Sequence, residues 1–215
     1  MIRFLAGGGL AVKICGITNE ADARMCAAAG AGALGFNFFP GSKRYLEPAG
    51  AIPWIRKLGE SCPRIAVVVN PTLALLAELE AAACFEAIQF HGDESPEFCA
   101  QAGLKSWIKA VRVRDLADLE SSLTFPAPAV LLDAWTPDAF GGTGKRLDWD
   151  LVRDFTLAHP DRRFILAGGL DVSNVRQAVR IVRPAAVDVA SGVEVNPRKK
   201  EEYLVREFIR QASVI

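Results

Sequence analysis

From Ala11 onward, short β-branched runs alternate with alanine-rich amphipathic runs about once every 25 residues, with no linker dividing the series. No other feature of the chain limits its fold so strongly, because strands joined by helical crossovers pair in parallel. The runs that read as strands are 11–14, 33–38, 64–69, 86–90, 106–111, 129–133, 163–167 and 186–190. Eight such units are enough to close a (β/α)8 TIM barrel, an α/β fold that commonly fills a chain of about 200 to 250 residues. An open doubly wound sheet fits the same alternation, so the pattern of elements alone leaves both topologies standing.

The helices carry their own start signals. Asn19 with Asp22 resembles a capping box, and Asp171 or Ser173 can cap a helix whose Val172, Val175, Val179 and Val182 share one face. Ser95, Pro96 and Glu97 supply a cap, a first-turn proline and a first-turn acid. The longest connections, 39–48 and 134–147, both follow the carboxyl ends of strands, the rim where barrels place their chemistry.

Composition narrows the function. The 215 residues include 25 basic and 25 acidic side chains, and this zero formal charge argues against nucleic acid or an anionic membrane as the main partner. One barrel domain over 1–215 is expected, with 1–10 as an extra N-terminal extension and a small molecule as ligand. Five scattered cysteines and two distant histidines, His91 and His159, suggest no metal site, and an odd cysteine count suits a reducing, cytoplasmic location. The apolar run Phe4 to Val12 imitates a signal-peptide core, but it holds three glycines and ends at the charged Lys13. It is better used as the first strand.

Three glycine-rich turns follow strands six, seven and eight, around Gly142 and Gly144, around Gly168 and Gly169, and around Ser191 and Gly192. Turns of this kind expose backbone N–H groups, so together they resemble a phosphate cradle, which barrels favour near strands seven and eight. Taken singly, each glycine also fits a tight turn with positive φ and no ligand.

Asp133 ends the sixth strand, where a two-residue period turns Ala129, Leu131 and Asp133 inward. A carboxyl at a partly dry mouth keeps its proton to higher pH and suits a general acid; the alternative is an acceptor of loop N–H groups. Cys15 ends the first strand with Lys13 on its face, and the ammonium should stabilise the thiolate relative to a free thiol, making Cys15 a candidate proton acceptor. Its alternative is a small buried hydrophobe. An inward Lys13 needs an anion, and Asp188 on the eighth strand would supply one if the barrel closes. Arg44 offers a planar fork for a carboxylate or is a solvated loop residue. His91 either bonds substrate or satisfies loop carbonyls.

The segments VKICGIT, GFNFFPGSKRY, IQFHGDE, LLDA, GGTGKRLDW, LAGGLDVSNV and VDVASGVE stand in the order and spacing of one family. From Val12 to about Phe208 the chain resembles the phosphoribosylanthranilate isomerases. That resemblance implies an acid-base aldose-ketose rearrangement of a phosphosugar in tryptophan synthesis, with no cofactor and no metal. It assigns the general base to Cys15, the general acid to Asp133 and the anthranilate-carboxylate contact to Arg44. It places the phosphate on Gly168, Gly169, Ser191 and Gly192, with Gly142 and Gly144 in a loop over the site.

The chain departs from the family in two places. About ten residues precede Lys13, expected either to be disordered or to cap the barrel floor, and Pro197 to Glu201 replaces a proline-glycine run with an aspartate cap, which bears on the geometry of loop eight. Rival readings are a dual-substrate isomerase also serving histidine synthesis and a non-catalytic phosphate-binding barrel. A monomer and a homodimer both remain open.

Overall fold

A computed structural model describes residues 2–7, 9–60, 62–135 and 147–214. Eight parallel strands hydrogen-bond in sequence order and close on themselves. They are β1 (Ala11–Cys15), β2 (Ala33–Asn37), β3 (Arg64–Val68), β4 (Ala87–Phe90), β5 (Trp107–Val113), β6 (Ala129–Ala134), β7 (Phe164–Leu166) and β8 (Ala186–Val189). Helices α1 (Glu20–Ala28), α2 (Pro48–Arg56), α3 (Leu73–Ala81), α4 (Pro96–Gln101), α5 (Leu116–Ser121), α6 (Trp149–Ala158) and α7 (Val175–Val182) follow the first seven strands. A hairpin of β9 (Glu194–Asn196) and β10 (Lys199–Lys200) then leads into α8 (Glu202–Ser213). Closure sets Val12 opposite Val187 and Lys13 opposite Asp188, a pairing that an open sheet would not contain.

The two-residue period of each strand divides the core. Val12, Ile14, Leu34, Phe36, Val130, Leu132, Val187 and Val189 pack outward against the helices. Ala33, Ile65, Ala87, Ile108, Ala129, Leu131, Ile165 and Ala186 point into the barrel. Several of these inward residues are alanines, and the space they leave is filled from below by Ile2, Phe4 and Leu5. Each such side chain gains about 1.5 to 3 kcal/mol by leaving water.

The N-terminal segment therefore caps the floor, and the first strand begins only at Ala11, so the run from Phe4 is not one strand as expected. Arg3 to Leu5 form a short 3-10 turn, held where the Arg3 backbone N–H meets Glu86 Oε1 at 2.6 Å. Glycines interrupt the run before β1, and a strand would have left Phe4 and Leu5 without this apolar seat.

Two expected caps form: Asn19 Oδ1 accepts from the Asp22 N–H at 2.8 Å, and Ser95 Oγ from the Phe98 N–H at 3.2 Å. The start of α7 differs. Asp171 accepts from Ser173 within the turn rather than capping the helix, and Asn174, the residue before Val175, donates from Nδ2 to the Gly169 carbonyl at 2.8 Å. That bond ties the helix to the turn after β7. In loop eight, Arg198 adopts a left-handed backbone with φ 77, and Glu201 caps α8 through the Leu204 N–H at 2.7 Å.

Candidate active site

The inward period that fills the barrel with alanine and isoleucine ends, at the carboxyl rim, in polar side chains. Cys15 closes β1, His91 follows β4, Asp133 lies at the end of β6 and Asp188 on β8. They line one cleft with Gly16, Arg44, Gly168, Gly169 and Ser191, enclosing about 710 Å³ of space open to solvent. Among the described residues, no group of three or more candidate ligands could hold a metal ion.

Lys13 lies fully buried below Cys15, its Nζ 2.8 Å from Asp188 Oδ1. Burial disfavours the ammonium, yet Asp188 and Cys15 together outweigh it and hold the lysine above its ordinary pKa. Room for this cluster comes from Gly35 on β2, where a Cβ would stand 2.8 Å from the Cys15 sulfur and 3.0 Å from Lys13 Nζ. The Cys15 thiol is pushed up from its ordinary range by burial, which exceeds the opposing pull of Lys13 and Lys200. The expectation that Lys13 would leave this thiol more acidic than a free one is thus overturned. Lys13 does favour the thiolate, but desolvation is larger and the charge of Asp188 opposes it.

Asp133 is buried and doubly engaged. Its Oδ1 accepts from the Ala134 N–H at 2.9 Å, and its Oδ2 stands 3.2 Å from His91 Nε2. His91 Nδ1 in turn meets Gln89 Nε2 at 2.8 Å. The partners of His91 are therefore two inward side chains of β4 and β6, not loop carbonyls. With the Gln89 amide N–H donating to Nδ1, a neutral ring with its proton on Nε2 fits the contact with the carboxyl. Gln89 Oε1 is buried without a hydrogen-bond partner among the described residues.

Arg44 stands at the opposite wall. Loop two turns back on itself, with Asn37 bridging Tyr45 and the Arg44 N–H donating to Ser42 Oγ at 3.1 Å. The guanidinium holds Glu194 through Nε at 2.8 Å and Nη2 at 2.5 Å, so it is not a solvated loop residue.

At the phosphate end, Gly168 and Gly169 have φ of 82 and 63. A Cβ on Gly168 would meet the Ala134 backbone nitrogen at 2.6 Å and Asp133 Oδ1 at 3.0 Å, so this turn presses against the end of β6. Gly192 does not line the cleft; a Cβ there would meet the Leu170 carbonyl at 2.1 Å, and its bareness lets the turns after β7 and β8 touch. Gly142 and Gly144 lie outside the described residues.

Sequence reasoning did not find Gln89, Gly35, Glu194 or Lys200. Gln89 was recoverable, since it shares the inward period of β4 with His91, and a glycine inside a strand often marks a close approach. Glu194 had no local signal, because its guanidinium partner is 150 residues away.

A family model described as N-(5'-phosphoribosyl)anthranilate (PRA) isomerase matches residues 12–211. The N-(5'-phosphoribosyl)anthranilate isomerase of Pelobacter propionicus is 46% identical over 202 residues, covering 94% of this chain and 94% of that protein. The crystal structure of phosphoribosyl anthranilate isomerase from Thermotoga maritima is 38% identical with a TM-score of 0.86, covering 96% of this chain and all of that one. A further structure of this isomerase, in complex with reduced 1-(o-carboxyphenylamino)-1-deoxyribulose 5-phosphate, is 37% identical with a TM-score of 0.82 and the same coverage.

Proposed function

The chain belongs to the N-(5'-phosphoribosyl)anthranilate isomerase family, and on that premise we propose that Cys15 is the general base and Asp133 the general acid of its reaction. The reaction is the rearrangement of N-(5-phosphoribosyl)anthranilate to 1-(2-carboxyphenylamino)-1-deoxyribulose 5-phosphate, a step of tryptophan biosynthesis. What carries the assignment is that β1 and β6, on different sides of the barrel, deliver a thiol and a carboxyl to one cleft.

Asp133 gives its proton to the furanose ring oxygen as the ring C–O bond breaks and the anthranilate nitrogen lone pair forms a Schiff base. Cys15, as thiolate, then takes the proton from C2, and its electrons form the enolamine. Tautomerisation delivers the ketone. His91 holds Oδ2 of Asp133 and the Ala134 N–H holds Oδ1, which together fix the carboxyl at the cleft. Lys13 stabilises the thiolate once it forms, and Asp188 keeps that ammonium in place. The turns at Gly168, Gly169 and Ser191 receive the phosphate through backbone N–H groups, with Gly192 allowing them to approach one another. Arg44 receives the anthranilate carboxylate.

Cys15→Ser and Asp133→Asn should each lower turnover by about 10² to 10⁴ while product binding survives. Retained turnover in either variant removes that residue's role, and the fluorescence of the anthranilate group gives the rate. Neither a dual-substrate isomerase nor a non-catalytic barrel is favoured by the family match; assaying both sugar substrates separates the former. We place the enzyme in the cytoplasm, a reading supported by five free cysteines, as a monomer or homodimer.

A further inference from the structure

Arg44 reaches the cleft by lying across the turn that follows Cys15. A Cβ on Gly16 would stand 2.1 Å from Arg44 Cδ, and Gly16 has φ +76, so only glycine leaves the guanidinium this path. On the far side Glu194 takes the Nε and Nη2 edge of the fork, at 2.8 and 2.5 Å. A guanidinium has five N–H donors, and a pair of this side-on kind leaves the Nη1 end free to meet a second carboxylate.

Glu194 is itself fixed. Its side chain is 4% exposed, and its Oε1 also accepts from Lys200 Nζ at 2.8 Å. Lys200, 1% exposed at its side chain, donates with the same nitrogen to the Ala190 carbonyl at 2.8 Å. Ala190 precedes Ser191 at the other end of the cleft. One hydrogen-bonded chain thus joins the Arg44 wall to the turn after β8. Arg44 and Lys200 share the single carboxylate of Glu194 in a poorly solvated place, where an arriving anion is welcome beside the guanidinium.

We propose that Glu194, held by Lys200, is a positioning residue that fixes which edge of Arg44 faces the substrate, and thereby selects ligands carrying a carboxylate as well as a phosphate. The inference rests on the isomerase reading for the identity of that carboxylate. Glu194 does not touch the reacting atoms; it acts through Arg44. Replacing it by glutamine leaves Arg44 and Lys200 to repel each other, so the fork loses its fixed orientation.

The test compares wild type with Glu194→Gln, Lys200→Met, Arg44→Ala and the double variant Arg44→Ala/Glu194→Gln. Steady-state turnover is measured alongside calorimetric binding of the reduced product analogue and of ribose 5-phosphate, which has the phosphate but no carboxylate. Glu194→Gln should raise KM and the Kd of the analogue about 10- to 100-fold, the size expected for losing a charge-assisted hydrogen bond. Its kcat should stay within about threefold, because the interaction is made equally in ground and transition states. Affinity for ribose 5-phosphate should not change, and the double variant should bind the analogue no more weakly than Arg44→Ala. An unchanged KM, or parallel losses for both ligands, overturns the proposal. Should Glu194→Gln fail to fold, Glu194→Asp shortens the arm and is read by the same two affinities. Wild-type enzyme without turnover would instead defeat the isomerase reading, while the binding arms would still judge Glu194.

Discussion

Two lysines sit on barrel strands with almost no contact with water, and each holds a carboxylate: Lys13 meets Asp188 at 2.8 Å, and Lys109 meets Glu94 at 2.7 Å. Their surroundings differ. Lys109 leaves β5 on the outer face, over the ring of Phe125, and also donates to the Gly92 carbonyl at 2.8 Å. Its partner Glu94 also accepts from the backbone N–H groups of Asn70 and Gly92, so this pair folds loop four. Lys13 points into the barrel, and Asp188 borders the cleft beside a thiol. Both pairs border a pocket, so what separates them is the neighbour: backbone N–H groups take up the carboxylate of Glu94, whereas the Lys13 pair stands beside a thiol.

The sharpest way to break this contrast is to remove each ammonium. Lys13→Met should cut turnover by up to about 10² to 10⁴, the contribution of a working base, because the thiolate loses its counter-charge. Lys109→Met should leave the folded enzyme's kcat near wild type yet cost about 3 to 5 kcal/mol of stability, since Glu94 would stay buried and unpaired. Chemical denaturation and kinetics on both variants decide the matter, and a Lys109→Met enzyme with selectively lost kcat would erase the distinction.

The pH dependence sharpens it further. The base proposed at Cys15 must be ionised, and burial holds that thiol above its ordinary range, so on this proposal kcat/KM should rise with pH along an alkaline limb set by this group. Lys13 opposes that shift, so Lys13→Met should move the limb to still higher pH, whereas Lys109→Met should leave it in place. Cys26, behind the barrel wall, shows the same desolvation away from the cleft, its thiol being pushed up from 9.0 to about 12 by burial. The folded chain holds that proton more tightly than the unfolded chain, so this stabilisation is intact below pH 9 and is lost as pH rises toward about 12. Cys26→Ala should flatten the alkaline loss of stability in a melt followed by circular dichroism, without altering the catalytic limb.

The smallest effect is expected far from either lysine. Arg198 has φ 77, a conformation that glycine adopts freely. Arg198→Gly should stabilise the fold by about 0.5 to 1 kcal/mol, the relief of left-handed strain less the added freedom of the unfolded chain. A lower melting temperature would mean that the contact of Arg198 Nη1 with the Tyr45 carbonyl, at 3.5 Å, matters more than its backbone.

Much of the barrel was legible in the chain because its signals are local. Period two assigns Lys13, Cys15, Asp133 and Asp188 to the inward face, and the rim position of Cys15 and Asp133 follows from where their strands stop. Asn19 and Ser95 cap helices within three residues, so their partners were in view. Asp171 misled because its side chain closes a turn before the helix rather than the helix itself. Phe4 and Leu5 misled because apolar runs look alike whether they pair as strands or plug a floor.

The sequence alone determined the eight strands that build the barrel, their succession along the chain, and which of their side chains share a face. Only the tertiary structure decided that β8 closes on β1, that Glu194 and not solvent holds Arg44, and that desolvation outweighs Lys13 at the Cys15 thiol. The reason is physical: alternation and caps depend on neighbours along the chain, whereas a charge's environment depends on what packs around it in space, and the Arg44–Glu194 contact spans 150 residues.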